Sequence, residues 1–141
     1  MADKTTGDLQ QELMNAYDLD QFLSENFDSL REQSVRDMLS RLLEAHELSK
    51  AALAKRSGMS EVYLHQLFSG RRKPSRNRAI CLAFGFSATV EETQALLHCC
   101  GYATLYPRVR KDAIILYGLS HGLDLYQVND RLFAADEEAL L

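Results

Sequence analysis

The chain is poor in the residues that break, bridge or anchor a polypeptide. Two prolines and seven glycines in 141 residues, with no low-complexity tract, exclude collagen-like and disordered readings. The three cysteines, Cys81, Cys99 and Cys100, are an odd number without framework spacing, and adjacent Cys99 and Cys100 do not readily bridge each other. Reduced thiols are therefore expected. The longest stretch free of charged and strongly polar side chains, Ala79 to Phe86, falls far short of the roughly 18 residues that cross a bilayer, so no membrane association is expected. The opening residues carry no apolar signal core, which points to the cytoplasm. Strictly alternating β-branched clusters, the mark of strands, are missing as well, and the fold class is all-α.

What is present is apolar mass and an uneven charge. Apolar residues make up 46% of the chain, enough for a sizeable core at the length of a single decorated domain. The net charge of −4 hides a step: residues 1–33 hold eight acids and two bases, residues 34–78 four acids and ten bases, and residues 79–141 eight acids and four bases. A basic island inside an acidic chain creates a local field that draws polyanions.

Helical periodicity organises almost every segment. Two acidic amphipathic stretches come first, about Gly7 to Tyr17 with Leu9, Leu13 and Met14, then Asp20 to Asn26 with Phe22, Leu23 and Phe27. These make residues 1–33 an N-terminal helical segment, which either tempers the basic island by its charge or packs as an added layer or dimer interface. Val35, Met38, Leu39, Leu42 and Leu43 give the i, i+3, i+4, i+7, i+8 stripe of a helix ending near His46. Ser49 caps a helix from Lys50 to Ser57 that Gly58 closes, and Ser60 caps another from Glu61 to Ser69 that ends at Gly70. Pro74 interrupts, and Ser75 caps a helix to about Phe84. Thr89 and Glu92 form a capping box for a helix that stops at Gly101. Pro107 is expected in the first turn of an apolar, central helix through Ile114, Ile115, Leu116 and Leu119; Asp124 caps the last helix, to about Phe133, and an acidic tail follows. The resulting division is residues 34–101 as the main domain, 102–134 as a C-terminal helical hairpin packed on it and 135–141 as the tail. A weak internal repeat aligns Asp37 to Leu53 with Asp112 to Val128, each with an apolar helix ending in His, a turn, Leu and a capped second helix.

One spacing carries function. A helix, a turn with Gly58, a second helix, then Gly70 and the run Arg71-Arg72-Lys73-Pro74 describe two short helices locked at a steep angle by Leu53, Ala54, Met59, Leu64 and Leu67. The outer face of the second helix is then free to enter a major groove, with bases nearby for phosphates.

Residues 48–75 resemble the helix-turn-helix of the lambda-repressor-like Xre family at Leu53-Ala54, Gly58, Met59-Ser60, Leu64, Leu67, Gly70 and Lys73-Pro74. The likeness extends more weakly from Ser34 to Gly101, and implies a five-helix core with additional helices at both ends. By position, the resemblance implies base reading by Glu61, Val62, His65 and Gln66, with Gln66 suited to bidentate contact with adenine. It implies phosphate contact by Lys50, Tyr63, Arg71, Arg72 and Lys73, extended by Arg76 and Arg78. Two residues depart from the family pattern: Glu61 brings a carboxylate to the groove entrance, and Phe68 replaces an acid common there.

Other chemistry finds no support. His98, Cys99, Cys100 and Cys81 do not converge as metal ligands, because neighbours on one helix point apart. There is no Gly-rich phosphate loop, no paired-carboxylate motif and no oriented nucleophile. The expectation is a non-enzymatic, cofactor-free transcriptional regulator whose partner is double-stranded DNA, acting as a homodimer. The alternative is a non-enzymatic protein-interaction module on the same scaffold with weak or no DNA binding; separately, the N- or C-terminal helices offer a surface for a protein partner.

Overall fold

The computed structural model describes residues 4–26 and 34–141, and among them every regular element is helical. The chain divides into two units, Met1–Gln33 and Ser34–Leu141.

In the first unit, α1 (Thr6–Asn15) and α2 (Leu19–Glu25) form a short hairpin. Thr5 and Asp8 make a reciprocal capping box at the start of α1, and Asp18 caps α2 through the Asp20 amide. Lys4 ties the hairpin together, donating to Glu12 and, at 2.6 Å, to Asn26. Phe22 is the one large apolar side chain buried among the described residues of this unit, while Leu13, Met14, Tyr17, Leu19 and Leu23 are exposed. Phe27 lies outside the described residues.

The second unit holds α3 (Val35–Ala45), α4 (Lys50–Ser57), α5 (Glu61–Phe68), α6 (Arg76–Phe86), α7 (Val90–Cys99), α8 (Arg110–Ser120) and α9 (Leu125–Ala134). Local chemistry sets the boundaries. Ser34, Ser49, Ser60, Ser75 and Thr89 each accept the backbone N–H three residues on, satisfying a donor that has no partner inside its helix. Gly58 ends α4 at φ 70°, a left-handed conformation that a Cβ would strain.

The central helix is α6, where an unbroken apolar run, Ala79 to Phe86, is buried on every face. Ile80, Leu82 and Phe86 are fully buried, each contributing about 1.5–3 kcal/mol relative to exposure. At Gly85 this helix meets α4 so closely that a Cβ would lie 2.9 Å from Leu53 Cδ1 and 3.0 Å from Ser57 Cβ. The expectation that the helix through Ile114 to Leu119 is central is corrected: in α8 only Asp112, Ile115 and Gly118 are buried, and Tyr117 is exposed. Its apolar residues cover more of the surface than one face of the core can absorb. Pro107 is also not helical. It sits in a turn before α8, whose N-cap, Val109, makes no side-chain capping bond.

The internal repeat has a backbone counterpart. Val35 and Arg110, Ala45 and Ser120, and Lys50 and Leu125 occupy matching helix ends, with His46 and His121 at the C-caps. The reversals match too: Leu48 N–H donates to Leu43 O at 3.1 Å and Leu123 N–H to Gly118 O at 3.0 Å, with Glu47 and Gly122 both at positive φ.

The acidic tail is corrected in one respect, for its end is built into the unit. Asp136 takes φ 56° and turns the chain back after α9. Leu140 is buried, its N–H donating to Asn129 Oδ1 at 2.8 Å and its carbonyl accepting the Cys81 thiol at 3.6 Å. Leu141 then packs against Gly58. Two leucines supply the apolar anchor that the acidic residues before them conceal.

Candidate nucleic-acid interface

The interface is built on α4, Gly58 and α5. Leu53 and Ala54 of the first helix and Leu64 and Leu67 of the second are buried together, which fixes the orientation of α5. That leaves Glu61, Val62 and His65 exposed and Gln66 half-buried on the outer side. Val62 is 70% exposed, an apolar side chain with no core partner. Glu61 opens the helix, where a carboxylate also meets the positive end of the helix dipole.

The basic residues flank this helix. After α5, Arg71 and Arg72 N–H both donate to Gln66 O, at 3.0 and 3.2 Å, and Gly70 adopts φ 79°. The chain then runs as an exposed loop to Pro74, which is buried. Tyr102 pins the loop: its hydroxyl donates to Pro74 O at 2.8 Å and its ring lies 4.6 Å from Lys73 Nζ. Tyr63 is half-buried beneath two guanidiniums, Arg78 at 4.5 Å and Arg72 at 5.9 Å from its ring centre. Lys50 stands 5.1 Å over Phe68. An acid at that position would neutralise Lys50, whereas the aromatic face holds the ammonium and leaves its charge available.

Among the described residues, Lys50, Arg71, Arg72, Lys73 and Arg78 have no ion-pair partner. Arg56, also exposed, lies in the last turn of α4.

Arg76 departs from the group. Its Nε donates to Ala103 O at 3.0 Å, Nη2 to Thr104 O at 3.3 Å, and both Nη atoms to Asp112, at 3.1 and 3.4 Å. Asp112 is only 5% exposed and also accepts the Tyr106 N–H at 3.0 Å. The guanidinium is thus committed to the loop between α7 and α8, and its assignment to phosphates is corrected. Sequence reasoning also missed Phe68, Tyr102 and Leu141 as supports of the interface. No local pattern marks Tyr102 or Leu141, since their contacts are far away in the chain; the Phe68 departure was the available signal for Lys50.

A two-helix unit locked by buried leucines, turning at a left-handed glycine and bordered by basic side chains without an ion-pair partner among the described residues, defines a helix-turn-helix, a class of DNA-binding protein. A family model for the helix-turn-helix domain matches residues 23–96, more than half of the chain, and the chain belongs to that family. No curated protein and no solved structure matches it. Among the described residues no helix is long and apolar enough to cross a membrane, and no group of three His, Cys, Asp or Glu could hold a metal ion.

Proposed function

We propose that the chain is a sequence-specific transcriptional regulator of the lambda-repressor-like Xre type, which inserts α5 into the major groove as a homodimer on two half-sites. Glu61, Val62, His65 and Gln66 read base edges, Gln66 through its amide to adenine. Lys50, Tyr63, Arg71, Arg72, Lys73 and Arg78 hold the phosphate backbone. The observation that carries this reading is the set of five cations around an exposed helix face that have no ion-pair partner among the described residues.

Selection of bound sequences from random duplex DNA tests it. Enrichment of an inverted repeat is the expected result; retention of random sequence without enrichment would leave only backbone attraction. A second reading, protein interaction, is favoured by the first unit, where five large apolar side chains are exposed on an acidic hairpin. A chain lacking residues 1–33 that loses a co-purifying protein but keeps its operator would assign that role to the hairpin alone.

A further inference from the structure

A cavity of about 550 Å3 opens between the helix-turn-helix turn, the start of α6 and the last residues described. Ser60, Tyr63, Arg72, Ser75 and Arg78 line it, and Leu141 forms one wall. Two features set it apart from an ordinary basic surface. Both arginines gather over the one Tyr63 ring, within 6 Å of its centre, although like charges repel and no carboxylate among the described residues pairs with either. Glu138, the nearby acid of the returning segment, accepts from Asn77 Nδ2 at 3.3 Å and makes no ion pair with either arginine. The cavity also borders the first turns of α5 and α6, whose leading amides have no carbonyl partner in their own helices.

We propose that this cavity is a phosphate seat, with Arg72 and Arg78 as its cations and Leu141 as the wall that shapes it. Tyr63 orients the guanidiniums by its π face, so that a phosphate entering between them replaces repulsion with charge-assisted hydrogen bonds. The phosphate belongs either to the DNA backbone or to a free phosphate monoester. The DNA source rests on the function proposed above, and the monoester source does not.

Nuclear magnetic resonance titration of the full chain with inorganic phosphate, adenosine monophosphate and a duplex separates these. Saturating shifts of the Tyr63, Arg72 and Arg78 amides with inorganic phosphate are expected. Arg78→Gln weakens this binding about tenfold, the loss of one charge-assisted hydrogen bond. Leu141→Glu weakens it as well by placing a negative charge in the wall, while Arg108→Gln, an exposed charge outside the cavity, leaves it intact. Shifts that do not saturate, that spread equally to Arg71 and Lys73, or that survive Arg78→Gln would overturn the seat. If the duplex moves the same amides and both weakening variants impair duplex binding, the ligand is the DNA backbone. If adenosine monophosphate saturates the seat while Arg78→Gln binds duplex at full affinity, it is a free monoester. A wild-type chain that ignores duplex but saturates with phosphate would end the DNA reading and keep the seat.

Discussion

Replacing Arg76 with alanine should damage the fold and leave phosphate contact largely untouched, the reverse of what its place in the basic run suggests. The substitution removes four hydrogen bonds, at 3.0, 3.1, 3.3 and 3.4 Å. The carbonyls of Ala103 and Thr104 belong to exposed residues and water replaces their lost donor. Asp112 is the costly remnant, a carboxylate at 5% exposure left with the Tyr106 N–H. Breaking a buried pair from one side costs about 3–5 kcal/mol. The arginine side chain is 29% exposed, which admits water and lowers the figure to about 2–3 kcal/mol. For a unit of this size that is a fall of roughly 10 °C in Tm. Differential scanning calorimetry of Arg76→Ala measures the cost, and Arg76→Lys, which keeps charge but not the fork, should recover only part of it. An Arg76→Ala chain with unchanged Tm and sharply weaker duplex binding at all sequences would refute the reasoning and return Arg76 to the phosphate-contacting set.

Arg71→Ala combined with Arg72→Ala should leave Tm unchanged, weaken all duplexes alike and flatten the salt dependence by about two ions; affinity equal to wild type across a salt series would remove both from the phosphates. Gln66→Ala should cost about 1–3 kcal/mol on a selected site and little on random duplex, and an equal loss on both in competition assays would take Gln66 off the bases. Gly85→Ala forces a methyl to within about 3 Å of Leu53 and Ser57. Overpacking of about 1–3 kcal/mol should exceed the gain in helix propensity of about 1 kcal/mol, so urea denaturation should show a net loss; a more stable protein would mean that α4 yields easily. For Glu92, burial raises the carboxyl pKa, but the Thr89 N–H and His46 outweigh it and hold the group below its usual range. A depressed carboxylate stabilises above its unfolded pKa, near 4.3, and loses that contribution as pH falls through the folded value. Tm should therefore decline on acidification below about pH 4.3, and Glu92→Gln should lack that part of the decline. Identical acid profiles would contradict the assignment.

The helix-turn-helix was legible because its signals are local. Ser49, Ser60, Ser75 and Thr89 each cap the helix that follows, and Gly58 takes the left-handed turn that closes α4. Where partners are distant, the reading failed. Arg76 looks like its neighbours until Asp112, in a different hairpin, is brought to it by the packing of α7 and α8. Apolar content also misled: Ile114, Leu116 and Leu119 read as a core helix but are half-buried. The run from Ala79 to Phe86 lacked any periodic stripe because all of its faces are covered. Pro107 offered a plausible helix start, yet neighbouring Val109 has no side chain that can cap. Leu140 and Leu141 follow four residues of which three are acidic, so composition pointed to solvent.

The bond between the Cys81 thiol and Leu140 O gives the protein an internal clock. Burial pushes the Cys81 thiol up to about 11, so almost no thiolate exists at neutral pH while the returning segment stays in place. Alkylation then requires the protein to open around Cys81, and with reagent in excess, where labelling outpaces reclosing, its rate reports the opening rate. In a background with Cys99→Ser and Cys100→Ser, slow labelling of Cys81 would time the exposure of the wall beside Gly58. An occupied interface would be seen as a longer interval between openings.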